Sequence, residues 1–184
     1  MQKAARLITE IFAPAVLITA FLLVSGIASG SWWAGLIAAV FAALGPLAGI
    51  LIAKRLGKVT DHHVGDRKQR LPVFVASLVS IAVGLAILIP LQAPRLVIAG
   101  LLTVSLGAVV VAAVNAFWKL SVHVAVVTVV TVALVGVSWW WLPALLLIPL
   151  VGWSRVVLKD HTVAQVIAGV PAGLIVVLPY LIWA

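Results

Sequence analysis

The sequence predicts an all-α fold: a polytopic bundle of six to seven transmembrane helices forming one integral membrane domain over residues 1–184. Three observations lead there. Hydrophobic residues make up 65% of the chain and charged residues only 9%, whereas a soluble domain carries about 25% charged residues. The apolar residues fall in runs of about 20, the length that crosses a bilayer as a helix. Those runs are apolar throughout, so they lack the polar–apolar alternation over about 10 residues that a membrane β-barrel strand needs.

The runs place spans at 6–29, 32–54, 72–91, 95–117, 121–138, 140–155 and 162–183. The first has Lys3 and Arg6 before it and Ala28-Ser29-Gly30 after it, as a signal peptide would. It is too long for one and contains Glu10, so it reads as a true helix. The second closes on Lys54-Arg55. Pro90, Pro94 and Pro143 fall at helix ends, because proline disrupts a helix interior. The fifth opens at Ser121, a natural N-cap, with His123 in its first turn. The sixth is short, with its break at Ser138–Trp141. The seventh is expected to take Asp160 as its N-cap and His161 as its first residue. Spans within 6–54 precede a second portion, 55–184, that holds nearly all the polar chemistry. No fixed-period repeat and no low-complexity linker divides the chain.

Seven spans put the N-terminus and the loops 55–71, 118–120 and 156–161 on one face. Eleven of the twelve Lys and Arg residues lie there, and only Arg95 lies opposite. By the positive-inside rule that face is cytoplasmic, in a multi-pass protein of the cell (inner) membrane. The same asymmetry accounts for the net charge of +8 without a nucleic-acid partner. Trp32, Trp33, Trp139, Trp140, Trp141, Tyr180 and Trp183 read as an aromatic belt at one interface, Trp118 and Trp153 as one at the other. With no cysteine, thiolate chemistry is excluded.

All four histidines and three of the four acidic residues lie in the charged-face segments. One segment holds Asp61, His62, His63, Asp66, Arg67, Lys68 and Arg70; the next Lys119, Ser121 and His123; the last Ser154, Arg155, Asp160, His161 and Gln165. Helix N-termini present free N–H groups and a partial positive charge, which bind anions. Two such termini carrying histidines, with arginines beside them, form a cradle for an oxyanion. One histidine can attack phosphorus and the other protonate the leaving oxygen, while arginines clamp the remaining oxygens. That chemistry requires no metal ion and no other cofactor. Glu10, roughly one turn inside the first span, is expected to pair, with Arg6 or with an arginine of the site. Asn115 and Thr103 are expected to hydrogen-bond between helices.

At these residues the chain resembles the type 2 phosphatidic acid phosphatase (PAP2) superfamily, integral membrane lipid phosphatases that need no metal. Ser154-Arg155, five residues and then His161 reproduce the spacing of the family's third motif. Lys119-Leu120-Ser121-Val122-His123 is similar to its second motif, and Arg67 to Pro72 to its first. The resemblance covers residues 55–184, in the family's motif order. It implies that His161 is a phosphohistidine nucleophile and His123 the general acid. Arg155, Ser121, Arg67 and Arg70 would hold the phosphate of a membrane lipid substrate, helped by Lys119.

Three positions depart from the family. Val122 replaces a glycine, and His63 stands where the first motif has lysine. Gln165 stands where an aspartate orients the nucleophile. Its carbonyl can still accept an N–H of His161, but loss of such a carboxylate from a catalytic triad costs roughly four decades of rate. Two other readings follow. One is a catalytically weak or inactive relative that binds anionic lipid head groups or a protein partner through the same cradle. The other is a magnesium-dependent prenyltransferase-like enzyme, with Asp61 and Asp66 as metal-binding carboxylates, which a chelator would stop.

Overall fold

A computed structural model describes residues 1–57 and 67–183, apart from the side chains of residues 67–71. Among them every element is helical. The first expected span is two helices. Helix α1 (Gln2–Ile11) ends at Phe12, and α2 (Pro14–Ala28) begins on a proline at its first position, where no N–H is needed. Gly30, at φ +72°, closes α2 in the left-handed turn that glycine adopts without strain. Its N–H donates to Ile27 O, and the Ser31 N–H to Gly26 O at 2.8 Å.

The second rod is α3 (Trp32–Ala39), a π-helical turn (Val40–Leu44) and α4 (Gly45–Arg55). The wide turn is braced from α5 (Arg67–Leu88), where Ser80 Oγ donates to Phe41 O at 2.6 Å. Helix α5 begins five residues before the expected start at Pro72, so Arg67 and Arg70 are backbone members of its opening turns rather than of a loop. Helix α6 (Arg95–Phe117) has the bounds expected for the fourth span.

Helix α7 (Val122–Val137) is the most enclosed element, with Val124, Val127, Thr128, Thr131 and Ala133 buried. Thr128 and Thr131 satisfy their hydroxyls on the carbonyls four residues back, so they enter an apolar core without an unmet donor. Helix α10 (Gly169–Trp183) crosses α7 at Gly173, where an added Cβ would stand 2.6 Å from Ala125 O. Small residues at such crossings allow the close backbone approach on which packing in lipid depends.

A 3-10 helix (Trp139–Leu146), α8 (Leu147–Val157) and the short α9 (Val163–Ile167) complete the chain. The break expected at Ser138–Trp141 falls at Ser138, whose extended backbone separates α7 from the 3-10 helix.

Five stretches are long and apolar enough to cross a membrane: Gln2–Ala28, Trp32–Arg55, Arg95–Phe117, Trp139–Val157 and Val163–Trp183. The apolar helices Pro72–Leu88 and Val122–Val137 are shorter. Outward-facing Val75, Val79 and Val83, one turn apart on α5, are 52%, 60% and 45% exposed, a stripe that suits lipid and not water. The tryptophans assigned to belts are all exposed, and Trp139 stacks on Trp140. Tyr180 is not a belt residue. It is buried, edge-on to Phe21 at 5.1 Å, and its hydroxyl meets Ser25 Oγ.

Candidate functional site

The site is built where α8 ends. Lys159 adopts φ +60°, an unusual conformation for a residue with a side chain. This left-handed residue turns the chain so that the N–H of Asp160 donates to Arg155 O at 3.1 Å. The reversal brings the Asp160 carboxylate to 3.0 Å from Arg155 Nη2. Asp160 is therefore not the N-cap of the last rod. Thr162 is: its Oγ1 accepts the N–H of Gln165, and Gln165 Oε1 accepts the N–H of Thr162 at 3.1 Å. The Thr162-Val163-Ala164-Gln165 order is the capping-box pattern. His161 thus precedes the helix instead of opening it.

His161 is 7% exposed, and its Nδ1 lies 3.2 Å from Gln165 Oε1, the contact expected between the two. Arg155 is 5% exposed. Besides Asp160 it has Thr9 on α1, whose Oγ1 is 3.4 Å from Arg155 Nη1 and 3.1 Å from Ser154 Oγ. A buried guanidinium is costly unless paired and hydrogen-bonded. These contacts supply partners, and they tie the first helix to the eighth. Thr9 carried no signal in the sequence, because the helices it joins are far apart along the chain.

The second contribution comes from the start of α7. Lys119 reaches across to donate to Asp160 O at 2.8 Å, and Ser121 N–H donates to Gln165 O at 3.3 Å, so the two segments are stitched together. Ser121 is the N-cap of α7 by position, but its side chain makes no cap hydrogen bond. Its Oγ is fully enclosed and has no hydrogen-bond partner among the described residues. His123 is 5% exposed in the first turn of α7.

A cavity of about 550 Å³ unites these groups with an apolar lane. Glu10, Lys119, His123, Arg155, Asp160 and His161 contribute its polar wall. Beyond them it follows α7 from Val122 to Val130, roughly 12 Å at 1.5 Å per residue, between α2, α4, α5 and α6. Ser121 and Gln165 are not at its wall; Gln165 touches His161, which is. Glu10 is exposed at the end of α1, within the apolar stretch Gln2–Ala28. Asn115 donates to Val111 O of its own helix at 2.8 Å.

Arg67 and Arg70 have their backbone in α5, but their side chains lie outside the described residues, as do Asp61, His62, His63 and Asp66 altogether. Among the described residues no group of three His, Asp or Glu side chains could hold a metal ion.

Fold and site together define a helical membrane protein whose buried histidine–arginine cluster opens into an apolar crevice. The chain matches no family model, no curated protein and no solved structure.

Proposed function

We propose that the protein is a membrane lipid phosphatase, removing phosphate from a lipid phosphate or polyprenyl (di)phosphate through a phosphohistidine intermediate. The observation that carries the reading is one shared cavity: His161, His123, Arg155 and Lys119 line it together with an apolar lane. A substrate with a charged head and a hydrocarbon tail fits both halves at once.

The chemistry follows from the residues. An acceptor oxygen at Nδ1 keeps the proton there and leaves the lone pair of neutral His161 on Nε2. Nε2 attacks phosphorus, the N–P bond forms, and the P–O bond to the lipid alcohol breaks. His123 gives its proton to the departing oxygen. Water then attacks the phosphohistidine while His123 takes up a proton, and inorganic phosphate leaves. Arg155 and Lys119, with Arg67 and Arg70 of α5, hold the phosphate oxygens, while Ser121, which is not at the cavity wall, does not reach them directly. No cofactor enters these steps. The positive-inside bias sets this face toward the cytoplasm, and six to seven rods with a core similar to the phosphatidic acid phosphatases complete the reading.

The experiment is phosphate release from phosphatidic acid and from polyprenyl diphosphate by detergent-purified protein, beside His161→Ala. Release confined to the unaltered chain supports the proposal; equal release by both sinks it. A second reading, a weak or inactive relative that binds anionic head groups, draws support from Asp160, whose carboxylate already occupies Arg155. It predicts binding of phosphatidic acid vesicles with no phosphate released.

A further inference from the structure

We infer that Thr162 selects the tautomer of His161, acting through the side-chain amide of Gln165. The catalytic meaning of this rests on the phosphatase reading, but the tautomer itself does not.

The two ends of a glutamine amide have nearly the same shape, and their partners decide which faces where. The backbone N–H of Thr162 can only donate. It meets Gln165 3.1 Å away, so the atom it meets is the oxygen. That same oxygen is 3.2 Å from His161 Nδ1. An oxygen with no proton of its own accepts from Nδ1, so Nδ1 carries the hydrogen and Nε2 the lone pair.

The reversed amide would fail twice. Its NH₂ would confront the Thr162 N–H, donor against donor. It would also donate to Nδ1, moving the ring proton to Nε2 and removing the lone pair from the nitrogen that must attack. Thr162 Oγ1 also accepts the backbone N–H of Gln165 at 3.3 Å, which caps the helix start and leaves the amide orientation to the Thr162 N–H. His161 is buried, so bulk water does not choose its tautomer. In water a neutral histidine side chain favours the Nε2–H form, opposite to the one this contact imposes. Thr162 is a positioning residue; it reaches the reacting nitrogen only through Gln165 and the ring.

The test uses the full chain, ring-labelled with ¹⁵N at its histidines, in detergent at pH ~8.5, about two units above the ordinary imidazole pKa. His161 is assigned by the signals missing from His161→Asn. We expect the unaltered protein to show a protonated Nδ1 and a lone-pair Nε2. Thr162→Pro removes the N–H at a residue whose φ of −77° already suits proline. It should switch His161 to Nε2–H and lower phosphate release from phosphatidic acid about tenfold or more.

Adding Gln165→Glu to that variant should restore both, because a carboxylate has no donor end to turn. Thr162→Val keeps the N–H and should keep the tautomer. An Nε2–H tautomer in the unaltered protein overturns the inference without recourse to any variant. So does loss of phosphate release in Thr162→Pro with the tautomer unchanged, which marks a structural role. A tautomer that switches as stated in a chain that never releases phosphate supports the inference and overturns the phosphatase reading.

Discussion

If the protein is the phosphatase proposed above, Gln165→Glu should raise its rate of phosphate release. The oxygen of Gln165 lies 3.2 Å from His161 Nδ1, and a carboxylate there would face the positive charge that develops on the ring as Nε2 attacks. A unit charge pair at that separation is worth about 5 kcal/mol at an effective dielectric of about 20. That is an upper bound, because Gln165 is half-buried and water screens it. Charge-assisted hydrogen bonds exceed neutral ones by about 1–1.5 kcal/mol. The expected gain in kcat is therefore about tenfold, at about 1.4 kcal/mol per decade.

The four-decade penalty of an amide in a catalytic triad does not transfer to this site. That penalty comes from the wrong tautomer, whereas here the Thr162 N–H holds the amide oxygen toward the ring. Stability should not suffer, because glutamate also serves at this position of a capping box. The assay is initial phosphate release with matched amounts of folded protein. An unchanged or reduced rate for Gln165→Glu, with thermal stability intact, would refute the claim that a missing carboxylate limits His161.

Asp160→Asn removes the Asp160 carboxylate from Arg155. The partner is 45% exposed, so the loss should be about 1–2 kcal/mol, below the 3–5 kcal/mol of a fully buried pair. Inorganic phosphate should then raise the Tm of the variant more than that of the unaltered chain, since the Asp160 carboxylate no longer competes with it for the guanidinium; thermal scans with and without phosphate check this. Gly173→Ala drives a methyl against the Ala125 carbonyl and should cost about 1–3 kcal/mol in detergent unfolding. Gly49→Ala, in open space on α4, should be neutral or slightly stabilising under the same measurement.

Parts of the site were legible in the sequence. The spacing of Arg155, His161 and Gln165 predicts their neighbourhood, because Arg155 lies at the end of α8, His161 in the turn after it and Gln165 in the first turn of α9. The Thr-x-x-Gln pattern marks the true N-cap at Thr162; a preceding aspartate beside a histidine made Asp160 the more visible choice and the wrong one. Side-chain type could not distinguish them. The left-handed Lys159 turns Asp160 back toward Arg155, and only backbone geometry reveals that turn. Thr9 was invisible for a different reason: one threonine near the start of an apolar run has no local partner to predict.

What the sequence by itself determined is the solvent of this protein and its secondary structure. Length and uniform apolarity require helices, since a backbone in lipid must satisfy its hydrogen bonds within its own segment. The sequence also gathers the four histidines and three of the four acidic residues into three short segments between apolar runs. Only the tertiary structure decided that Tyr180 turns inward to Ser25, that α1 seats Thr9 beside Arg155, and that the polar wall opens into an apolar lane. Those outcomes depend on which helices cross and how closely. In a chain where nearly every face is aliphatic, shape rather than polarity sets the crossings, and shape emerges only when the helices pack.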